Sequence, residues 1–508
     1  MYTLSAAQIA DICAGTIAAG RPDAQADSAC IDSRLASNGS LFAAFKGEKV
    51  DGHAYIEVAV SAGATIILAS GPDIDYSKFA DRATTVLVDD VLAALQALAI
   101  HQRAQMTCPV ICITGSSGKT STKELLKGAL EASLNTIATE GNYNNELGVP
   151  LTLLRATPDT EAVVLEMGMR GLGQITELTD IGKPTMSIIT TIGDAHIEML
   201  GSRENIARAK GEIFEALTPD QLAFMPAQVD FGDYLRSVCK APLITVAVES
   251  PAATASQKPG ASPQGDVPAA PPTAPPAEYT AHITSYDPYG CASAKVALPS
   301  GEVFDMTLAI PGQHSVQNAL LALATAQALG VDAQTAIRGL EGVQPAEMRM
   351  QRAQVSNVTG LRDVSILVDC YNANPESTAA SMKTLAVSDL PDTSQGLRVA
   401  VLGDMLEMGQ HSAKVHKDTL FLAGLLGLDL VYTFGPAYSQ ATQDLLNEVN
   451  AGRNLNDIPE LRSFTDMDVL ISSLGGELTS GSLLLVKGSR GMQMERIVDA
   501  LTEGDKPC

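Results

Sequence analysis

Six residues, Gly115-Ser116-Ser117-Gly118-Lys119-Thr120, stand between the apolar run Val110-Ile111-Cys112-Ile113 and a helix-forming stretch that starts near Thr122. A strand that turns through glycines into a helix aims unpaired backbone N–H groups and the positive helix end at an anion. Lys119 reaches the outer phosphates in such a cradle, and Thr120 can ligate Mg²⁺. Gly115, Ser116, Ser117, Gly118, Lys119, Thr120 and Ser121 are therefore expected to bind ATP or GTP. The full pattern has a glycine five residues before Gly118, where this chain carries Ile113.

The same strand-then-helix alternation recurs. Largely apolar runs at 110–113, 162–165 and 186–190 suit a parallel sheet buried on both faces, with ligands gathering at the strands' carboxyl ends. Residues 1 to about 88 mix short strands and helices, with Leu41–Phe45 and Ala64–Ala69 as buried strands, and spacing predicts a helix over Asp89–Ala104. Past Ala346, strands near 365–368, 398–402, 430–434 and 482–486 predict a second doubly wound unit. The 508 residues thus divide into 1–105, a small α/β domain with its linker helix; 106–342, the P-loop domain; and 343–508, a Rossmann-like domain. The stretch 249–278 is Pro, Ala, Ser and Gly-rich, too poor in large apolar groups to offset its ordering entropy, and reads as a flexible insertion.

A net charge of -24 argues against nucleic acid or an anionic membrane as partner and favours small ligands. Eight scattered cysteines without a Cys-x-x-Cys pair favour a reduced compartment and speak against zinc. Met1 to Arg21 lacks a secretory pattern, and Leu420 to Phe434, a buried helix followed by a strand, is too short to span a bilayer. A cytoplasmic, monomeric protein is expected.

Several polar groups fall at carboxyl ends of strands. Glu166 ends the run 162–165 where the P-loop also opens, placed to hold Mg²⁺ directly or through water. His196, in Gly193-Asp194-Ala195-His196, is a metal-ligand or phosphate-contact candidate. Lys210 sits in the middle of the stripe Ile206, Ile213, Phe214 and Leu217 on the helix predicted over Arg203–Leu217. Burial there would lower its pKa and leave an amine able to capture CO₂ as a carbamate, a carboxylate-like Mg²⁺ ligand; a lysine snorkelling from the helix edge is the alternative. The loops Thr139–Asn145, Asp369 with Tyr371–Pro375, and Lys487-Gly488-Ser489-Arg490 together suggest a ligand surface facing the P-loop domain.

In their order along the chain these segments resemble the Mur ligases of peptidoglycan synthesis. The most specific are Thr114–Ser121, Gly141-Asn142-Tyr143-Asn144-Asn145 through Pro150, Glu166-Met167-Gly168, Ala195-His196-Ile197-Glu198, Ala209-Lys210-Gly211-Glu212, Pro311–His314 with Asn318, Tyr371–Pro375, Leu402–Met405 and Val486–Arg490. The resemblance implies an ATP-dependent, three-domain α/β ligase in which a carboxylate and an amine are joined through an acyl phosphate. It is greatest to the type that adds D-alanyl-D-alanine to UDP-N-acetylmuramoyl-tripeptide: the Asp-Asn-Pro-Arg pattern of the diaminopimelate-adding type is absent, and Asn372-Ala373-Asn374-Pro375-Glu376 stands in its place.

Carried over, the resemblance gives Lys119 the ATP phosphates, Thr120 and Glu166 one Mg²⁺, and His196 with carbamylated Lys210 a second. Asn318 would meet the adenine, and Arg349 and Asp369 would hold the nucleotide after closure. Ser33, Arg34 and Lys46, in the segments Asp32-Ser33-Arg34 and Lys46-Gly47-Glu48, would serve the uridine-sugar substrate, together with Asn142 and Asn145; Asn372 and Asn374 would sit near the dipeptide. Other amide ligases of the superfamily, among them the tripeptide-forming Mur enzyme and folylpolyglutamate synthase, and a nucleotide-binding homologue without ligase activity, are the alternatives. The uridine-like N-terminal segments disfavour the folate reading. Retention of Lys119, Glu166, His196 and Lys210 disfavours an inactive binder.

Overall fold

The computed structural model describes residues 1–47, 50–71, 74–249, 277–358, 360–391, 394–450 and 458–502. Glu48 and almost all of the Pro/Ala-rich stretch lie outside the described residues. Three mainly parallel sheets organise the chain. The central one has nine strands, in the order 303–311, 291–297, 279–286, 243–249, 222–226, 186–189, 110–114, 162–166 and 136–138. It is parallel from 136–138 as far as 279–286, and its last two strands run antiparallel.

Every residue of Val110–Thr114, Ala162–Glu166 and Met186–Ile189 is buried, because both faces of the sheet are covered. The period of two sorts the side chains. Val110, Cys112, Val163 and Leu165 pack with helices Val91–Gln105, Gly148–Leu154, Gln174–Gly182 and Arg203–Glu215. Ile111, Ile113, Val164 and Ile188 pack with Lys119–Glu131, Gln313–Ala328 and Ala333–Glu341. The sequence places the linker helix within two residues of its observed bounds, where Asp90 caps it by accepting from Leu92 and Ala93 N–H.

On the second face, helices Lys119–Glu131 and Ala333–Glu341 cross backbone to backbone. A Cβ at Gly339 would sit 2.2 Å from the Gly128 carbonyl oxygen. Gly339→Ala must push the two helices apart, and is expected to lower the unfolding free energy by about 1–3 kcal/mol. Denaturant titration checks this, and an unchanged midpoint would contradict so close a crossing.

The C-terminal sheet runs 351–354, 365–369, 483–487, 398–403, 430–434 and 460–464, parallel except for its first strand. The N-terminal sheet, 16–19, 84–87, 66–69, 40–43 and 28–30, is likewise parallel apart from its first strand. In the central sheet, strand 110–114 lies between 162–166 and 186–189, so the chain leaves it to opposite sides and opens a crevice at its carboxyl end. The carboxyl ends of 365–369 and 483–487 face the same crevice across the domain interface. Among the described residues, no helix is long and apolar enough to cross a membrane, and no cysteine is disulfide-bonded.

Candidate active site

The nucleotide cradle starts earlier than its sequence suggests. The helix begins at Lys119, not near Thr122, because Gly118 takes up φ +84° and turns the chain directly into it. No side chain caps this N-terminus, so its first N–H groups remain available to a phosphate. Lys119 folds back and donates to the Gly115 carbonyl at 2.7 Å. Burial lowers its pKa, Arg349 adds to the shift, and Glu166 opposes it. Asn318 is 2% exposed, lies against Gly118, and its Nδ2 has no hydrogen-bond partner among the described residues. A buried unpaired donor beside an anion cradle suits a bound nucleotide.

Glu166, also 2% exposed, accepts from Thr120 Oγ1 at 2.9 Å and from Asn144 Nδ2 at 2.8 Å. The hydroxyl and carboxylate assigned to one cation thus touch. Thr139, at the head of the amide-rich loop, accepts from Glu166 N–H and supplies its carbonyl to Lys123 Nζ at 2.7 Å. Lys123 was not anticipated from the sequence. It is one helical turn beyond Lys119 and so on nearly the same face, which was the available signal.

Lys210 is buried mid-helix, and its amine has no ion pair or hydrogen bond among the described residues. Burial, then the neighbouring Lys119 charge, hold its pKa well below the usual lysine range. His196 has φ +65°, and its Nδ1 lies 2.7 Å from Glu407 Oε2 of the C-terminal domain. Burial and Lys210 lower its pKa against the opposing pull of Glu407. With the Nδ1 proton towards Glu407, Nε2 keeps its lone pair.

Two further contacts close the same seam. Asn374 Nδ2 donates to Ser116 O at 3.4 Å, and Glu376 Oε1 accepts from Asp194 N–H at 2.8 Å. Burial first, then Asp194, raise the Glu376 pKa. In the third domain, Asp369 Oδ2 takes hydrogen bonds from Ser381 Oγ and Lys487 Nζ, both at 2.6 Å. Burial pushes the Asp369 pKa up, but Lys487, Ser381 and His314 outweigh it and leave it lowered. Lys487 also donates to Asn372 O at 3.0 Å, and Arg349 lies over the Tyr371 ring at 4.2 Å. The contacts of Glu376 and Glu407 carried no sequence signal, since their partners are distant in the chain.

Most of these residues line two adjoining cavities of about 890 and 850 Å³, which share Thr120, Asn142, His196, Arg349, Asn372 and Asn374 among others, whereas Lys210, Asp194 and Glu376 line neither. The smaller contains the P-loop with Ser121, Glu166, Asn318, Asp369 and Lys487. Asn145 lines it too, while its Oδ1 accepts from Gly148 N–H and starts the next helix. Ser33, Arg34 and Lys46 line neither cavity; Arg34 is exposed and pairs with Asp32 at 2.6 Å.

Three family models match in chain order: the Mur ligase family catalytic domain over 27–103, the Mur ligase middle domain over 113–326, and the Mur ligase glutamate ligase domain over 348–490. A UDP-N-acetylmuramoyl-tripeptide--D-alanyl-D-alanine ligase from Synechocystis sp. is 33% identical over 480 residues, covering 94% of this chain and 92% of its own. The chain belongs to the Mur ligase family. A crystal structure of MurF from Acinetobacter baumannii superposes with a TM-score of 0.79 at 29% identity, covering 99% of each chain. MurF ligase from Thermotoga maritima, solved in complex with ADP, gives 0.71 at 25% identity, covering 94% of this chain and 97% of that one.

In this Mur ligase, burial lowers the pKa of three histidines, His196, His314 and His416. Each holds its proton less tightly in the fold, so below a pH of about 6.5 the unfolded chain binds protons more readily than the folded chain. Stability is therefore expected to fall as pH drops from about 6.5 towards the depressed folded values. The raised pKa of Glu376 acts in the opposite sense, one group against three. Thermal melts between pH 7.5 and 5.5 check the sign, and melting points that rise on acidification would contradict it.

Proposed function

We infer that this ATP-dependent Mur ligase joins D-alanyl-D-alanine to the peptide of UDP-N-acetylmuramoyl-tripeptide, the step that completes the pentapeptide of peptidoglycan synthesis. The observation that carries the reading is the relation, over 94% of the chain, to a ligase of that specificity. It is supported by a P-loop cleft whose C-terminal-domain wall carries Asn372 and Asn374, the residues that the resemblance places near the dipeptide.

The chemistry follows from need. A carboxylate acylates poorly, so the peptide's terminal carboxylate attacks the γ-phosphorus of ATP, ADP leaves, and an acyl phosphate forms. The dipeptide's neutral amine adds to the acyl carbon, and the tetrahedral intermediate expels phosphate and a proton. Lys119 and the first N–H groups of its helix offset charge on the transferring group. Asn374 on Ser116, Glu376 on Asp194 and Glu407 on His196 hold the C-terminal domain over the cradle and keep water from the acyl phosphate.

Mg²⁺ suits the first cation position, because Thr120 and Glu166 offer hard oxygens in contact beside the phosphate cradle. Among the described residues no three His, Cys, Asp or Glu side chains converge, as befits an ion held largely by substrate phosphates. At the second position His196 alone is a weak partner for Mg²⁺, and the fit rests on Lys210: an unpaired buried amine that takes up CO₂, losing a proton, becomes an oxygen ligand. Bound there, the ions would neutralise phosphate charge.

Release of ADP and phosphate is expected to require both UDP-N-acetylmuramoyl-tripeptide and D-alanyl-D-alanine. Turnover with either alone would overturn the assignment.

A further inference from the structure

We propose that Arg490 reads the terminal carboxylate of the incoming dipeptide, and that the larger cavity is the dipeptide's subsite. This rests on the ligase reading above and adds to it the residue that selects the amine substrate.

The larger cavity, about 890 Å³, meets the nucleotide cavity along a rim that includes Thr120, Asn142, His196, Asn372 and Asn374. Of the P-loop only Thr120 reaches it, so its outer part lies away from the phosphate cradle. Away from the rim, Met348, Leu406 and Met408 give it an apolar wall. Four cationic side chains line it, and they are not equivalent. Lys123 is 1% exposed and spends its ammonium on Thr139 O and Glu124. Arg170 and Arg349 border both cavities, and Arg349 lies on Tyr371.

Arg490 borders the larger cavity alone. Its Nη1 is 3.2 Å from Glu495 Oε1 and 2.9 Å from Met348 Sδ, and among the described residues no hydrogen bond uses Nε or Nη2. Glu495, at 23% side-chain exposure, anchors one edge of the guanidinium, while the side chain as a whole remains 56% exposed. A planar fork held on one edge and open on the other matches a carboxylate in bidentate fashion.

D-alanyl-D-alanine has complementary features: a carboxylate at one end, two methyl groups, and an amine at most about 7 Å away in an extended chain. With the carboxylate on Arg490, the methyl groups meet the apolar wall and the amine points to the rim. There Asn372 and Asn374 bring no charge, which leaves the amine its lone pair for attack. The acceptor peptide also carries carboxylates, and the test separates the two substrates.

The measurement is steady-state ADP release by the full chain with D-alanyl-D-alanine or D-alanyl-D-alaninamide, at saturating ATP and UDP-N-acetylmuramoyl-tripeptide. Loss of a charged hydrogen-bonded pair is expected to make the amide about 30-fold poorer in kcat/KM with the unaltered enzyme. In Arg490→Gln the dipeptide KM should rise by about the same factor, the KM values for ATP and tripeptide should stay put, and the preference for acid over amide should vanish. Arg490→Lys, with charge but no fork, should fall between. A preference that survives in Arg490→Gln, or a rise in the tripeptide KM instead of the dipeptide KM, overturns the proposal. An unaltered enzyme that ignores D-alanyl-D-alanine entirely would remove the ligase assignment itself, a distinct result visible before any variant is made.

Discussion

Lys210→Ala is expected to lower turnover by about 10³-fold or more while the protein stays folded. The helix Arg203–Glu215 loses an amine that has no hydrogen bond or ion pair among the described residues, and alanine favours the helical backbone, so its melting point should not collapse. What disappears is the amine proposed to carry the carbamate. Formate or acetate, diffusing into the space left behind, should restore part of the activity by supplying the missing carboxylate, and should do nothing for the unaltered enzyme. Removal of bicarbonate and CO₂ should slow the unaltered enzyme, with recovery on their return. A fully active Lys210→Ala enzyme would rule out the carbamate.

Lys119→Met should be comparably damaging, about 10³-fold in kcat, for a different reason. The methionine keeps the length of the side chain but not the charge proposed to reach the transferring phosphoryl group. ATP should then stabilise the variant against heat less than it stabilises the parent, whereas UDP-N-acetylmuramoyl-tripeptide should stabilise both alike. Undiminished turnover would mean that the folded-back contact with Gly115 O is the lysine's whole role.

Much of this architecture was legible in the sequence because it rests on local rules. The runs 110–113, 162–165 and 186–190 read as buried strands, since a sheet covered on both faces needs apolar residues without alternation, and each appears within one residue of its expected bounds. Lys210 stood out because a lysine on an apolar stripe breaks a helical period. The helix start at Lys119 was misplaced because glycine's left-handed turn at Gly118 leaves no propensity signal.

The loops that meet at the domain seam were legible, but the contacts that close it were not. Glu376 on Asp194 and Glu407 on His196 join residues about 180 and 210 positions apart, and Glu407 reaches its place through a positive φ that no pattern announces. Lys487 was visible as the end of a strong strand and the start of a polar loop, but its partner was not. Its pairing with Asp369, and with it the orientation of the Asn372 loop, depends on two strands that neighbour each other only in the finished sheet.

The account's central claim is that ATP is consumed to activate a carboxylate. The most direct test uses UDP-N-acetylmuramoyl-tripeptide labelled with ¹⁸O in its terminal carboxylate, with mass analysis of the phosphate released during ligation. Transfer of one labelled oxygen into each phosphate is the predicted result. Phosphate free of label, alongside normal product formation, would contradict the acyl phosphate and the mechanism built on it.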